Sequence, residues 1–275
     1  MSLFHQLRSA VPPGLQPVSR SVFHGLFRVW LRLSCWCSDL AEASAASEIP
    51  MPSALMRFRV SEDLSRREFR RMGEHCASII EQHALARSAG LANCRRVLDF
   101  GCGCGRTLFW LVRRYPCVEF HGVDVDREAI DWCRLHLDSA RFVASPITPP
   151  LPYPDQHFDL VYCFSVFTHL DEGLQDLWLD ELHRIVRRDG ILLLTVHGGR
   201  AAEVLDADDR LKLNTAGFLF KSSGKLKGLV PPWYQTAWHS EDYIVRRISR
   251  WFRDVRYTSI PDGMQDIVTA RKDDE

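Results

Sequence analysis

Apolar and polar positions alternate in a regular order from about residue 96 onward, where short apolar runs are separated by segments with helical spacing. Extended runs are predicted at 96–100, 120–125, 141–144, 158–164, 191–197, 255–260 and 265–271, and helices at 107–114, 127–137, 174–187 and 240–252. Strands that alternate with helices predict an α/β fold with a doubly wound, mostly parallel, seven-stranded sheet. Because only Pro261-Asp262-Gly263 separates the last two runs, we expect them to form a terminal antiparallel hairpin.

The N-terminal region has a different composition and predicts a helical extension. Residues 1–38 contain four Arg and no Asp or Glu, and apolar residues dominate positions 22–33. A helix here could make a peripheral membrane contact through residues 20–33, or it could dock on its own domain. An organelle transit segment is a third interpretation, because such segments are also rich in Arg and poor in acids.

The predicted domain boundaries follow from this change in composition. Residues 39–52 are rich in Ala, Ser and Pro and predict a linker. We therefore divide the chain into a basic extension and linker at 1–52 and a main domain at 53–275. Before the first strong strand, a helix capped by Ser61 or Ser65 is expected to run to about Arg87.

Composition narrows the possible functions. Lys and Arg together number 35, as do Asp and Glu, so the net charge of +0 argues against a dedicated nucleic-acid binder. The 9 Cys lack the paired C-x-x-C spacing of a structural zinc site, and we expect no bound metal. Free cysteines favour a reducing compartment, and the sequence contains no long uncharged apolar run, so a cytoplasmic location is predicted.

A glycine-rich loop follows the first predicted strand. Gly101, Gly103 and Gly105 allow the backbone to turn sharply and allow a ligand to approach the main-chain N–H groups at a helix start. The spacing is G-x-G-x-G, whereas dinucleotide enzymes use G-x-G-x-x-G. A nicotinamide-dependent oxidoreductase therefore remains an alternative to a protein that binds S-adenosylmethionine.

An acidic residue ends the next predicted strand. Asp124 lies about 20 residues after the loop, at a position where a carboxylate can accept hydrogen bonds from both hydroxyls of a ribose. Asp126 comes directly before a predicted helix and is expected to cap it. Both nucleotide hypotheses use Asp124 in the same way.

Three motifs make the sequence resemble the class I S-adenosylmethionine-dependent methyltransferases, in their small-molecule "methyltransferase domain" branch. They are V-L-D-F-G-C-G-C-G at 97–105, G-V-D at 122–124 and L-P-Y-P-D-Q-H-F-D-L-V at 151–161, and the resemblance spans roughly 69–272. It implies a Rossmann-like sheet of six parallel strands with one reversed strand at the edge. It also implies S-adenosyl-L-methionine as cofactor and methyl transfer to a small or medium-sized acceptor.

The resemblance assigns roles to individual residues. Asp99 and the glycine loop, including Cys102, would hold the amino-acid end of the cofactor, Asp124 the ribose, and Val125 the adenine face. Relatives often place an acid after the third strand to bind the adenine amine, but this chain has Ser145 and Ile147 there, and we predict that these two take its place. The missing acid leaves open a catalytically weak, methyltransferase-like binding module.

Two further cofactor candidates follow the fourth predicted strand. Phe164 and Ser165 lie where open α/β sheets bind ligands, and we expect them to face the methyl donor. His169, a few residues later, is either a general base for a hydroxyl acceptor or a structural histidine. Residues 198–239 are too long for an ordinary connection and predict an acceptor-binding lid or a helical insertion with its own core. The substrate candidates in this segment are Trp233, Tyr234, Trp238 and His239. The sequence does not indicate the oligomeric state.

Overall fold

A seven-stranded sheet with helices on both faces dominates the structure, which is a computed structural model. It describes residues 16–42, 50–61, 63–87, 90–221, 235–260, 263 and 265–273. The helices are α1 (Gln16–Glu42), α2 (Ala54–Ser61), α3 (Arg66–Ala86), α4 (Leu108–Arg114), α5 (Arg127–His136), α6 (Glu172–Ile185), α7 (Ala207–Ala216) and α8 (Glu241–Ile248). The strands are β1 (Arg96–Phe100), β2 (Glu119–Asp124), β3 (Ala140–Ala144), β4 (Phe158–Cys163), β5 (Val186–Val196), β6 (Phe218–Lys221), β7 (Thr236–His239), β8 (Arg253–Thr258) and β9 (Asp266–Arg271).

The order of the strands confirms the predicted α/β fold. The large sheet runs β3-β2-β1-β4-β5-β9-β8, and its first five strands are parallel. From β1, the chain adds β2 and β3 on one side and then β4 and β5 on the other. In such sheets the ligand crevice lies where the strand order changes direction, here at the carboxyl ends of β1 and β4. β6 and β7 form a separate antiparallel pair.

The reversed strand was expected at the edge of the sheet, and this expectation was wrong. β9 is antiparallel to both β5 and β8 and lies between them, so that β8 forms the edge. Burial explains the order, because residues 266–270 of β9 are all buried, whereas β8 alternates between exposed and half-buried positions. A half-exposed strand suits an edge.

Two apolar layers fix the sheet between its helices. On one face, Ile80 of α3, Leu111 of α4 and Ile130 of α5 are fully buried against it. On the other, Leu182 of α6 and Ile244 of α8 are also fully buried. The carboxyl ends of β1, β2, β4 and β5 are therefore held on a rigid frame.

The N-terminal helix partly docks on the domain. Leu31 and Cys35 of α1 are buried against Ala54 and Phe58 of α2, which confirms the docked interpretation for this side of the helix. The helix continues to Glu42, into the stretch predicted as a linker, while residues 43–49 lie outside the described part. The domain boundary at residue 53 stays a prediction. None of the described helices combines the length and apolar character needed to cross a bilayer.

Local signals set the helix starts near the site. Of the two predicted caps of α3, Ser65 is the one in place, and its side chain accepts from the Glu68 N–H.

The predicted insertion at 198–239 contains a short 3₁₀ turn at Ala201–Val204, then α7, β6 and β7. Trp233 and Tyr234 lie outside the described residues.

Candidate functional site

The glycine loop adopts a backbone that only glycine accommodates without strain. Gly101 and Gly103 have φ of 84° and 52°. A Cβ at Gly103 would lie 2.7 Å from Cγ1 of Val60, and one at Gly101 would lie 2.2 Å from Cγ2 of Val166. The conformation and the close approach of neighbours both require glycine here. Residues from α2 and from the segment after β4 therefore pack directly on the loop.

Asp124 joins the end of β2 to the glycine loop. One carboxylate oxygen accepts from the Gly103 N–H at 2.7 Å and the other from the Asp126 N–H at 2.8 Å. Burial raises the pKa of this carboxyl, an effect that these two hydrogen bonds oppose. Each oxygen has a second lone pair, so the same carboxylate can also accept from two ligand hydroxyls.

Asp126 has the capping role predicted for it. Its side chain accepts from the Glu128 and Ala129 N–H groups at 3.1 and 3.4 Å at the start of α5. It also pairs with Arg59 of α2 at 3.2 Å. The helix that contacts the glycine loop is thus also tied to the turn that follows Asp124.

Asp99 brings a buried carboxyl to the start of the loop. It lies on β1 opposite Tyr162 of β4 and is 3% exposed. Burial, together with the nearby Asp124, raises the pKa of Asp99 to about 8, and the Tyr162 hydroxyl and Arg106 oppose this rise only in part. A ligand ammonium would restore the ionised form, because a nearby positive charge favours the carboxylate. This carboxyl fits the amino-acid end of S-adenosylmethionine.

The residues predicted to contact adenine gather beside Asp124. The Ser145 N–H donates to the Asp124 carbonyl at 2.8 Å, which places Ser145 and the half-buried Val125 at the same end of the sheet. The Ile147 carbonyl accepts from Nε1 of Trp178 on α6 at 3.1 Å, while the Ile147 side chain is 49% exposed. The loop after β3 is thereby fixed where an adenine ring could lie.

Cys102 contributes only its backbone to the loop surface. Its side chain is buried in the core near Phe142, and its N–H donates to the Val123 carbonyl at 3.0 Å. Cys104 is buried against Phe69 and Ala129. Both are free thiols, as expected for small side chains that pack in a tight turn.

Ser165 belongs to a polar network at the carboxyl ends of β4 and β5. Its N–H donates to Oγ1 of Thr195 at 2.9 Å, and its hydroxyl accepts from Nε2 of Gln265 at 2.8 Å. The Thr195 hydroxyl donates to Oε1 of Gln265 at 2.6 Å. Phe164, next to Ser165, packs edge-on to Tyr162 with ring centroids 6.4 Å apart. Sequence reasoning missed Thr195 and Gln265, because only the sheet order brings the start of β9 to this point.

Two imidazoles stand beside this network. Nδ1 of His169 lies 2.5 Å from the Gln235 carbonyl, and Nδ1 of His197 lies 3.1 Å from the Ala237 carbonyl. A carbonyl can only accept, so each neutral ring carries its proton on Nδ1 and its lone pair on Nε2. Burial lowers the pKa of both residues, and burial together with the neighbouring His169 lowers that of His197 to about 4. His197, which sequence reasoning missed, is therefore the second neutral imidazole at this edge.

The strand β7 closes this end of the site. The Ala237 N–H donates to the Thr168 carbonyl at 2.7 Å and the His239 N–H to the His197 carbonyl at 2.9 Å, so β7 connects the segments after β4 and β5. The Trp238 ring lies 6.0 Å from that of His197, and its Nε1 donates to the Ala201 carbonyl at 3.0 Å. Trp238 also packs on a small apolar cluster of the insertion.

His239 points the other way. It is 1% exposed and its Nε2 lies 3.0 Å from Nε2 and 3.2 Å from Oε1 of the Gln175 side chain on α6. Burial lowers its pKa to about 3. This position corrects the substrate contact predicted for His239, because a fully buried ring cannot touch an acceptor. Of the four substrate candidates, only Trp238 lies beside the imidazoles in the described residues.

The glycine loop, Asp99 and Asp124 lie together at the carboxyl edge of a doubly wound sheet, which is where proteins of this class bind nucleotide-like ligands. Comparison with known proteins points to the same class. A family model described as "Methyltransferase domain" matches residues 97–190. The match covers about a third of the chain, and in this segment the chain is similar to the class I S-adenosylmethionine-dependent methyltransferases.

Individual relatives match parts of the chain. Fatty-acid O-methyltransferase of Mycolicibacterium smegmatis is 32% identical over 120 residues, which cover 43% of this chain and 42% of the relative. Demethylmenaquinone methyltransferase of Deinococcus radiodurans is 33% identical over 120 residues, covering 41% and 47%. The matched segments thus span less than half the length of these curated relatives.

A solved structure shares the fold over most of the chain. It is the 1,6-didemethyltoxoflavin-N1-methyltransferase of Burkholderia thailandensis with bound 1,6-didemethyltoxoflavin and S-adenosylhomocysteine. The TM-score is 0.52 at 18% identity, covering 83% of this chain and 94% of that one. At this identity the likeness establishes the fold alone.

Proposed function

We propose that this protein is an S-adenosylmethionine-dependent methyltransferase that acts on a small or medium-sized acceptor. The proposal is carried by the hydrogen bond between the glycine loop and Asp124, where the Gly103 N–H donates to the Asp124 carboxylate at 2.7 Å and holds it at the end of β2. The family model and the named methyltransferases among the relatives support the same activity.

The cofactor would be held from its amino-acid end to its adenine. Asp99 would bind the ammonium, Asp124 the ribose, and the backbone of the loop at Gly101, Cys102, Gly103 and Gly105 the carboxylate end. Val125, Ser145 and Ile147 would line the adenine. When bound, the cofactor supplies a methyl group on a positively charged sulfur, which is suited to in-line displacement. Since such a displacement depends on alignment, positioning supplies much of the rate.

The acceptor would bind beside His169, His197 and Trp238, and Phe164 and Ser165 would face the methyl donor. Nε2 of His197 carries a lone pair and would accept a hydrogen bond from an acceptor hydroxyl, but its pKa of about 4 makes it a weak base. His169 keeps the proposed role of general base. Trp238 offers an apolar surface beside them. Because two relatives are named for a fatty acid and for a demethylmenaquinone, we propose an acceptor that presents an oxygen or a reactive ring atom on an apolar body.

Titration calorimetry of the full chain with S-adenosylhomocysteine tests the proposal. We expect binding that Asp124→Ala weakens about tenfold to a hundredfold, because hydrogen bonds to a charged group contribute about 1.5–3 kcal/mol. Asp131→Ala is the matched control, since Asp131 is exposed on α5 and pairs with Arg134. Absence of binding to both S-adenosylmethionine and S-adenosylhomocysteine would refute the proposal, and tight NAD binding would favour the oxidoreductase.

Turnover separates an enzyme from a weak binding module. Tight cofactor binding without methyl transfer to a broad acceptor panel, read by mass spectrometry, would favour the module.

The cytoplasmic location, the division into 1–52 and 53–275, and the peripheral membrane contact through residues 20–33 stay predictions. The same holds for the expectation that nucleic acid is not a partner.

A further inference from the structure

The outward face of α1 is an uncovered apolar surface. Large apolar side chains between 55% and 66% exposed recur along it at spacings of three and four residues. We call this set the α1 stripe: Leu26, Val29, Trp30, Leu33, Trp36 and Leu40. With a rise of about 1.5 Å per residue, the stripe is about 21 Å long. Contiguous exposed apolar surface of this kind marks an interaction site.

The stripe is not the face by which α1 docks on its own domain. That face carries Leu31 and Cys35, which are 1% and 5% exposed and pack on α2. The Asp39 carboxylate also accepts from the Ala54 N–H at 2.8 Å. A docked surface helix normally turns polar residues to solvent, whereas α1 is apolar on two opposite sides. The docking contacts thus hold the stripe toward solvent.

Charge and aromatic residues indicate what covers the stripe. The helix carries Arg20, Arg28 and Arg32 along its length and Asp39 and Glu42 at its end, and Arg32 is exposed next to the stripe. Basic residues near an anionic leaflet each add attraction, and tryptophan prefers the boundary between headgroups and acyl chains. A second copy would carry the same net positive charge, which opposes pairing. These features favour lipid over self-association.

We propose that the α1 stripe is a docking surface for an anionic phospholipid bilayer. On this surface α1 lies parallel to the membrane, with the stripe among the headgroups and acyl-chain ends and with α2 and the sheet on the solvent side. This inference goes beyond the proposed methyl transfer and does not depend on it. It also moves the contact from the predicted residues 20–33 to residues 26–40.

Sedimentation of the full chain with vesicles tests this surface. Vesicles of phosphatidylcholine that contain phosphatidylserine should bind the protein, and vesicles of phosphatidylcholine alone should bind less. The double variant Trp30→Gln/Leu33→Gln should lower the partition coefficient about tenfold or more, because it removes two large apolar side chains from the stripe. Arg32→Gln should lower binding to the anionic vesicles only, and added salt should weaken it in the same way.

A matched control and a second assay separate the outcomes. Leu211→Gln replaces a leucine that is 66% exposed on α7 and should bind vesicles like the wild type. All variants should keep the wild-type circular dichroism spectrum and denaturation midpoint, which shows that they fold and keeps this test independent of the proposed activity. The inference is overturned if the wild type ignores anionic vesicles, or if Leu211→Gln loses as much binding as the stripe variant. It is also overturned if light scattering shows a dimer that the stripe variant dissolves.

Discussion

Replacing Asp99 tests whether the buried carboxyl at the start of the glycine loop binds the cofactor ammonium. Burial raises the pKa of Asp99 to about 8, so at pH 7 the ligand-free carboxyl is roughly nine-tenths protonated. An ammonium bound against it favours the ionised form and lowers that pKa. Binding of S-adenosylhomocysteine at pH 7 should therefore release close to one proton from this residue.

Calorimetry in buffers with different ionisation enthalpies measures the release directly. The wild type should release roughly 0.9 of a proton from Asp99 at pH 7, whereas Asp99→Asn should lose this release and bind the ligand about tenfold to a hundredfold more weakly. Asp131→Asn, an exposed control on α5, should behave like the wild type. Equal proton release in the wild type and in Asp99→Asn would refute the assigned role.

The same substitution has a predictable effect on stability. With a folded pKa raised to about 8 from 3.8, native Asp99 binds more protons than the unfolded chain across this range. The free energy of unfolding contributed by this group therefore falls as pH rises from about 4 to 8. Asp99→Asn removes that penalty and should raise the stability of the ligand-free protein at pH 7 in chemical denaturation. A loss of stability would show that the carboxylate has a structural partner instead.

Two further predictions concern His197 and Asp126. The pKa of His197 is lowered to about 4 from 6.5, so the native state binds fewer protons and its contribution to stability is lost as pH falls through this window. Between pH 7 and pH 5, the free energy of unfolding of the wild type should fall about 2 kcal/mol more than that of His197→Gln, as measured by denaturation at both pH values. An equal fall in the two proteins would contradict the assignment of a neutral His197. Asp126→Ala should lower the free energy of unfolding by about 1 kcal/mol through loss of the α5 cap. Asp126→Asn should retain most of it, and equal losses in both would point to the Arg59 ion pair instead.

The cofactor side of the site could be predicted because its signals are local in sequence. The glycine loop, Asp124 and Asp126 lie within about 25 residues, and each has a position relative to a strand end that determines its role. Asp124 and Asp126 are only two residues apart but are predicted to have different roles. Because α5 begins at Arg127, Asp126 lies at the capping position and Asp124 at the strand end. Val60 was missed because it comes from α2, and no local pattern shows that this helix lies over Gly103.

The acceptor side was less predictable because its residues meet only through the order of the strands. Gln265 reaches Ser165 because β9 inserts between β5 and β8, whereas the resemblance placed the reversed strand at the edge. The error about His239 has a simpler cause. Successive residues of a strand point to opposite sides, so β7 cannot turn both Trp238 and His239 to an acceptor. The short strand at Thr236–His239 was not recognised in a segment interpreted as a lid.

The two imidazoles of the acceptor side lie in different parts of the sequence but form hydrogen bonds to the same backbone segment. His169 follows β4 and His197 follows β5, yet their Nδ1–H groups donate to carbonyls two residues apart, at Gln235 just before β7 and at Ala237 on β7. Carbonyls two apart in extended backbone face the same side, so the position of this segment fixes the tautomer of both rings together. Any change that shifts β7 would remove the hydrogen-bond acceptors of both Nδ1–H groups at once. The proton-accepting capacity of this edge therefore depends on the backbone of the insertion as much as on the histidines themselves.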